Sequence, residues 1–203
     1  MTVAGAMNPE GGNPLKIVCF GDSNTYGYDP CSYFGDRYSS ENRWVDILAQ
    51  KLECKTVNVG ENGREIPRRE EDLFRFNKML INQKPIDFLI VMLGCNDLLQ
   101  GNDVNVVLNR MEDFLRHIDL APSQIILIGI PPMEIGEWVT DKRLKDASEI
   151  LRHKYKELAQ KLGMNFADAG RWDVSITFDG VHFTEEGHKA FAKGLFNYLN
   201  KGE

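Results

Sequence analysis

The stretch from Lys16 to Thr25, KIVCFGDSNT, decides the interpretation of the whole chain. Its apolar run, Ile17 to Phe20, has no polar alternation, which predicts a strand buried on both faces of a sheet. The run ends in Gly-Asp-Ser, whose small and polar residues suit a tight turn. Ligands of an open α/β sheet gather beyond the carboxyl ends of its strands, so Ser23 stands where a nucleophile is expected. A serine hydroxyl is a weak nucleophile unless a base takes its proton, so the chain must supply that base from another segment.

Downstream of this strand, further apolar runs alternate with amphipathic stripes of helical period. Strands are predicted at 17–20, 55–59, 86–93, 124–130 and 164–167, and helices at about 42–52, 68–82, 104–118, 141–161 and 184–198. Five strands that alternate with helices predict a three-layer α/β fold with a parallel sheet. Right-handed crossovers then bring all strand-end loops to one edge of the sheet.

Length and composition predict one globular domain in a chain of 203 residues. We expect this domain over residues 15–203, after a flexible N-terminal tail at 1–14 that is rich in glycine and proline. The net charge of −6 offers no basic footprint for nucleic acid or an anionic membrane. No apolar run approaches the roughly 20 residues that a membrane-spanning helix needs. A homo-oligomer is compatible with the sequence.

The spacing of the cysteines indicates the redox conditions in which the protein works. The four cysteines form no CxxC pair, which favours reduced thiols in a cytoplasmic protein and argues against a zinc site. The N-terminus also lacks the basic and apolar regions of a secretory signal.

A candidate base lies near the C-terminus. Asp179 and His182 are three residues apart, a spacing that can fold the carboxylate back onto the imidazole and stabilise its charged form. His182 could then serve as base to Ser23. The alternative is an aspartate that only caps a turn beside a surface histidine. The other histidines, at positions 117, 153 and 188, are predicted to be solvated on or near helix surfaces.

Acyl transfer also needs hydrogen-bond donors for the developing oxyanion. Asn96 could offer its side-chain amide, and Gly63 and Ser23 could offer backbone amides. Each has a structural alternative: Gly60 and Gly63 as turn residues with positive φ, Asn96 as an Asx turn and Ser23 as a helix N-cap.

Four blocks at strand ends or ahead of a helix carry a family resemblance. They are GDSNT at 21–25, NVGENG at 58–63, GCND at 94–97 and DGVH at 179–182. In this order they resemble the SGNH (GDSL-type) hydrolase superfamily, and the match extends from about Lys16 to the last helix. The resemblance implies a flavodoxin-like α/β/α sandwich with five parallel strands and hydrolysis of esters without a metal or cofactor. The implied partner is a small-molecule ester.

The resemblance also implies a role for each matching residue. Ser23 corresponds to the nucleophile, and Asp179 and His182 correspond to the other members of the triad. Asn96 and Gly63 correspond to oxyanion donors, beside the amide of Ser23.

Two positions depart from the family pattern. Asn24 stands where the family name has leucine, and Cys95 fills the variable place of the third block. The thiol of Cys95 is a second candidate nucleophile, although burial after a strand predicts an inert small apolar residue.

A finer similarity lies in Arg43-Trp44, in Asn62-Gly63-Arg64 and around residues 179–185. It is similar to small esterases, including arylesterases with acyltransferase or perhydrolase activity. The sequence offers no lid of obvious length, so short acyl chains and accessible esters such as acetylated sugars are expected rather than long-chain lipids. Candidate residues for the mouth of the site, each with core packing as its alternative, are Tyr26, Tyr28, Phe34, Arg64 and Trp138.

Three other functions compete with the esterase. A metallophosphoesterase could use Asp22, Asn96, Asp97 and His182, but the chain lacks that family's DxH and GHxH motifs. A non-catalytic flavodoxin-like binding module would hold a phosphate or a flavin, but this chain has neither a P-loop nor a GxGxxG motif. A degenerate hydrolase is the third candidate, although here all triad and oxyanion positions are filled.

Overall fold

Five parallel strands form one sheet in the computed structural model, which describes residues 14–34 and 36–201. The strands are β1 (Lys16–Gly21), β2 (Lys55–Gly60), β3 (Phe88–Met92), β4 (Ile125–Gly129) and β5 (Asn165–Asp168). Their order, β2-β1-β3-β4-β5, is that of flavodoxin-like sheets. The predicted fold class is therefore confirmed.

Helices cover both faces of the sheet. They are α1 (Ser23–Tyr26), α2 (Trp44–Leu52), α3 (Glu70–Gln83), α4 (Cys95–Leu99), α5 (Val104–Arg116), α6 (Lys142–Leu162) and α7 (Glu185–Lys201). On one face α2 packs against α7, where the rings of Trp44 and Phe191 lie 4.8 Å apart. On the other face Phe20 of β1 packs edge-on against Phe76 of α3, and Phe76 contacts Phe114 of α5. The sheet is thus the middle of three layers.

The register of the central strands brings their carboxyl ends level with one another. Gly21 at the end of β1 is opposite Gly60 of β2 on one side and Met92 of β3 on the other. The segments that follow these three strands therefore begin at the same edge of the sheet. They carry three of the four sequence blocks.

The longer elements lie within a few residues of their predicted bounds, whereas no helix was predicted at α1 or α4. Both helices are about one turn long, with four residues in α1 and five in α4. An apolar stripe needs several turns to be visible in a sequence, so such helices carry no periodic signal.

Residues 1–13 of the predicted tail lie outside the described residues, so the proposed domain boundary at residue 15 remains a prediction. Within the described ranges, every helix is too short or too polar to cross a lipid bilayer.

Candidate active site

The turn after β1 presents Ser23 as the first residue of α1. Asp22 is the N-cap of this helix, because its Oδ1 accepts a hydrogen bond of 3.0 Å from the backbone N–H of Asn24. Gly27, in the left-handed region at φ 91°, ends the helix after one turn. The alternative role of Ser23 as an N-cap is therefore wrong, since Asp22 fills it and leaves the hydroxyl of Ser23 available.

Asp179, His182 and Ser23 form a continuous hydrogen-bonded chain. His182 Nδ1 lies 2.7 Å from Asp179 Oδ2, and His182 Nε2 lies 3.0 Å from Ser23 Oγ. A carboxylate can only accept, so Nδ1 carries the proton toward Asp179 and the neutral ring leaves Nε2 free to accept from Ser23. The structure thus joins two positions that are 159 residues apart in the sequence.

The carboxylate of Asp179 is held ionised by the backbone of its own turn. Burial alone would raise its pKa, but the hydrogen bonds from the ring and backbone N–H of His182 and from the N–H of Val181 outweigh burial and lower the pKa. The two backbone bonds to Oδ1 measure 2.9 Å from His182 and 2.8 Å from Val181. The imidazole therefore faces a permanent negative charge.

Two aromatic rings flank the imidazole. The ring centroids of Tyr28 and Trp138 lie 4.8 and 5.0 Å from that of His182, both in edge-on geometry. Of the five candidates for the mouth of the site, these two contact the predicted triad.

The other three candidates for the mouth of the site contact residues outside the predicted triad. The guanidinium of Arg64 stacks on the buried ring of Phe20 and donates to the carbonyls of Gly21 and Val59, below the sheet edge. The ring of Tyr26 is covered by the guanidinium of Arg37. Phe34 is 83% exposed and contacts the ring of its neighbour Tyr33. Arg64 thus supports the ends of β1 and β2, and it also lines a cavity between the 61–69 loop and α3.

The candidate oxyanion donors belong to loops that meet beside Ser23. Asn96 lies in α4, directly after β3, and one hydrogen of its side-chain amide is donated to the carbonyl of Arg64 at 3.0 Å. An amide nitrogen carries two hydrogens, so one remains for a ligand. Gly63 precedes Arg64 and has φ 72°, as expected for a turn glycine. The structure therefore joins the Asn96 and Gly63 segments at the edge where Ser23 lies.

Gly60 is required for a different reason from the one expected. It is absent from the positive-φ residues of the described chain. A Cβ at Gly60 would lie 2.0 Å from the backbone nitrogen of Tyr26, so glycine allows α1 to rest on the end of β2.

The thiol of Cys95 and the carboxylate of Asp97 are both buried. Burial, with the nearby charges of Asp22 and Asp97, raises the pKa of the Cys95 thiol well above its ordinary value, so the reactive thiolate is disfavoured. Asp97 is fully buried, where Oδ2 accepts from the N–H of Ile66 and Oδ1 from the guanidinium of Arg110, each at 3.0 Å. Asp97 therefore braces the loop that carries Gly63.

These contacts also bear on the metallophosphoesterase alternative. Over residues 14–34 and 36–201, no three His, Cys, Asp or Glu side chains are grouped so that they could hold a metal ion. The carboxylate of Asp97 already accepts hydrogen bonds from Ile66 and Arg110.

The prediction for His188 is wrong, whereas His117 and His153 are exposed as expected. The ring of His188 is fully buried between the rings of Tyr38 and Phe183. Burial lowers its pKa to about 3, with smaller contributions from His182 and Arg43. A signal was available in the sequence: His188 precedes Phe191 and Ala192 by one helical turn, on the buried face of α7.

Sequence reasoning missed one residue that contacts the site. Asn24, treated only as a departure from the family pattern, is buried and its side chain bonds to the segment around His182. No local pattern reveals such a partner, because it lies 157 residues away.

Two cavities lie next to this site. A small one of about 10 Å³, roughly the room of a single water molecule, is lined by the neighbours of Ser23, Asp22 and Asn24, and by Cys95. A larger one of about 340 Å³ lies between the 61–69 loop and α3. The four arginines that line the larger cavity are all ion-paired: Arg64 with Glu61, Arg68 with Glu65, and both Arg69 and Arg75 with Asp72.

The sequence model of the GDSL-like Lipase/Acylhydrolase family matches residues 19–190. No match was found among curated proteins.

Comparison with solved structures gives several close folds. A candidate arylesterase from Agrobacterium tumefaciens str. C58 aligns with TM-score 0.80 and 25% identity, covering 91% of this chain and 98% of the other. A carbohydrate acetylesterase family member from Sinorhizobium meliloti aligns with TM-score 0.79 and 23% identity, covering 93% and 100%. The inhibitor-bound aryl esterase of M. smegmatis aligns with TM-score 0.78 and 22% identity, covering 91% and 98%. These likenesses show that the whole fold is shared.

Proposed function

The chain belongs to the GDSL-like lipase/acylhydrolase family, and from this premise we propose that it cleaves short-chain acyl esters through an acyl-serine intermediate on Ser23. Membership of this family of the SGNH superfamily makes the chain a carboxylic ester hydrolase. The observation that carries the finer proposal is the hydrogen-bonded chain from Asp179 through His182 to Ser23, with distances of 2.7 and 3.0 Å.

In the proposed first step, Ser23 Oγ attacks the carbonyl carbon of the ester while His182 Nε2 takes the hydroxyl proton. Asp179 holds the ring in the tautomer that leaves Nε2 unprotonated, and it stabilises the imidazolium that forms. The tetrahedral oxyanion accepts hydrogen bonds from the amides of Ser23 and Gly63 and from the side chain of Asn96.

In the proposed second step, the imidazolium returns its proton to the departing alcohol oxygen, and the carbon–oxygen bond to that alcohol breaks. Water then attacks the acyl-serine, with His182 again as base, and releases the acid. A competing alcohol in place of water gives acyl transfer. No step draws on Cys95, whose raised pKa keeps it as a thiol.

The surroundings of Ser23 support small acyl groups. Ser23 and His182 are both buried, and the rings of Tyr28 and Trp138 close on the imidazole. One similar structure is a carbohydrate acetylesterase family member, which supports acetyl esters as the proposed substrates.

The partner and location in this proposal follow from the same features. The partner is a small-molecule ester, and the proposed chemistry uses residues of a single chain, so it is independent of the oligomeric state. A reducing, cytoplasmic location is part of the proposal, because all four cysteines are free and Cys31 is exposed.

Turnover of p-nitrophenyl esters tests the proposal. We expect the wild type to hydrolyse the acetate faster than the octanoate, and folded Ser23→Ala to be silent on both. Equal turnover by the two proteins would exclude Ser23 as nucleophile, and a preference for the octanoate would overturn the short-chain assignment.

A further inference from the structure

Asn24 bonds to the backbone on both sides of His182. Its Nδ2 donates to the carbonyl of Val181 at 3.1 Å, and its Oδ1 accepts from the N–H of Phe183 at 2.9 Å. The side chain is 4% exposed, so both bonds are shielded from water. The residue that follows Ser23 in the chain thereby clamps the residues that precede and follow His182.

The orientation of this amide is determined by its partners. A backbone carbonyl can only accept and a backbone N–H can only donate, so the nitrogen of Asn24 must face Val181 and the oxygen must face Phe183. A leucine, which the family name has at this position, can make neither bond. The clamp is therefore a property of asparagine here.

Asn24 is itself anchored at its backbone. Its N–H donates to Asp22 Oδ1 at 3.0 Å, and its carbonyl accepts from Nε1 of the buried Trp44 at 2.9 Å. The side chain thus extends from a fixed point in the turn that also carries Ser23.

The Asp179–His182 pair cannot set its own distance to Ser23. Asp179 bonds to the ring and backbone of His182 and to the N–H of Val181, all within one short segment, so these bonds do not fix the distance to Ser23. The segment is also held by the 134–138 loop, where Glu134 N–H donates to the carbonyl of Gly180 at 2.9 Å and Trp138 N–H to that of Asp179 at 3.0 Å, but this loop does not carry Ser23. Tyr38 also reaches this segment, with its hydroxyl 3.4 Å from the carbonyl of Phe183, but it lies outside the nucleophile turn.

We infer that Asn24 is a positioning residue that sets the distance between His182 Nε2 and Ser23 Oγ by clamping the 181–183 segment to the nucleophile turn. This inference rests on the proposed function, because it assigns a role to Asn24 in proton transfer between those two atoms. A misplacement of about 1 Å between reacting groups can cost about 10²-fold in rate.

The test is Asn24→Leu, which keeps the approximate shape and removes both bonds. We expect the rate of fluorophosphonate labelling at Ser23 to fall by about 10- to 100-fold, while the final stoichiometry stays at one label per folded chain. For p-nitrophenyl acetate, kcat should fall by a similar factor with KM nearly unchanged. A purely structural role would instead reduce the fraction of chains that label and leave the rate per competent site unaltered.

The matched control is Asn165→Leu. Asn165 starts β5 at the opposite end of the sheet, where its Nδ2 donates to the carbonyl of Ser123 at 2.7 Å. This variant also loses side-chain hydrogen bonding and is expected to keep the wild-type labelling rate. Asn24→Asp, which keeps the acceptor for Phe183 but loses the donor to Val181, should label at an intermediate rate.

The outcomes separate this inference from the proposed function. A wild type that takes up no label at Ser23 overturns the proposed function itself. A labelled wild type with Asn24→Leu reacting at the same rate per site overturns only the positioning role, as does a loss of stoichiometry alone. Should the leucine variant fail to fold, the same rate comparison on Asn24→Ala decides between these results.

Discussion

At the scale of single residues, the site depends on a carboxylate that stays charged in a buried place. Asp179 is able to do so because His182 and two backbone N–H groups lower its pKa against the effect of burial. In the proposed mechanism, this charge orients the ring and stabilises the imidazolium during acyl transfer.

Asp179→Asn tests this role. An amide is nearly the same size but can donate toward Nδ1, which favours the tautomer with the proton on Nε2, where Ser23 needs an acceptor. We expect kcat for p-nitrophenyl acetate to fall by about 10³- to 10⁴-fold, with the variant still folded. Asp119→Asn is the control, because Asp119 is an exposed partner of Lys84 far along the chain. Activity within a few-fold of wild type in Asp179→Asn would contradict the assigned role.

Some residue-scale features could be read from the sequence and others could not. The Asp179–His182 contact is local, so its spacing alone indicated it. The contacts of Asn24 with Val181 and Phe183 could not be predicted, because they depend on how two distant segments are packed together.

At the scale of elements, the short helix α1 rests on the end of β2 without room for a side chain. Asn58 of β2 fixes this contact by donating to the carbonyl of Thr25 at 2.8 Å and accepting from the N–H of Gly60 at 2.9 Å. The position of Ser23 is therefore coupled to the neighbouring strand.

Gly60→Ala tests that coupling. The added methyl group would lie 2.0 Å from the backbone nitrogen of Tyr26, and a backbone atom cannot rotate away as a side chain can. We expect the free energy of unfolding to fall by about 1 to 3 kcal/mol and esterase activity to fall as α1 is displaced.

The control for this prediction is Gly101→Ala. Gly101 has φ 81°, but a Cβ there meets nothing within 4 Å. Backbone strain should lower the free energy of unfolding of Gly101→Ala by about 1 to 2 kcal/mol and leave its activity unchanged. Urea unfolding and acetate turnover of both variants provide the measurements, and a Gly60→Ala variant with unchanged activity would show that α1 is not held in this way.

The strands and long helices could be predicted because each has a signal in its own residues. Buried parallel strands such as β3 and β4 are nearly continuous apolar runs, and α5 and α6 show clear apolar stripes. The two helices that carry Ser23 and Asn96 could not be predicted as helices, since each is one turn built from residues that also suit turns.

At the scale of the whole molecule, topology alone could indicate that the four sequence blocks meet. Parallel strands place their carboxyl ends at one edge, and the register of Gly21 with Gly60 and Met92 confirms this for three of the blocks. The family resemblance was confirmed as well. Topology could not predict the burial of individual side chains. His188, which was predicted to be solvated but is buried, is an example.

The stability of the whole molecule should depend on His188 and on pH. Burial is the main cause that lowers the pKa of His188 to about 3 in the folded state. Below about pH 6.5 the unfolded chain therefore binds a proton at His188 that the folded chain does not bind. Its stabilising contribution is therefore complete above about pH 6.5 and is lost as the pH falls toward 3. The contribution of Asp22 to stability depends on pH in the opposite direction. Burial raises the pKa of Asp22 to about 6, so its stabilising contribution is lost as the pH rises through 6.

We expect His188→Gln to remove the His188 contribution and leave that of Asp22. Between pH 7.5 and 5.0, the free energy of unfolding of the wild type should fall relative to that of His188→Gln by about 1 to 2 kcal/mol. His153→Gln, at an exposed position, should follow the wild type. Urea unfolding at the two pH values measures this, and parallel pH dependence in wild type and His188→Gln would mean that the buried ring does not control the transition.

The central claim, that Ser23 is the nucleophile of this fold, is tested most directly by peptide mass spectrometry after reaction with a fluorophosphonate. We predict one adduct per chain, carried by Ser23 and absent from folded Ser23→Ala. An adduct on Cys95 or any other residue, or equal labelling of the two proteins, would contradict the claim.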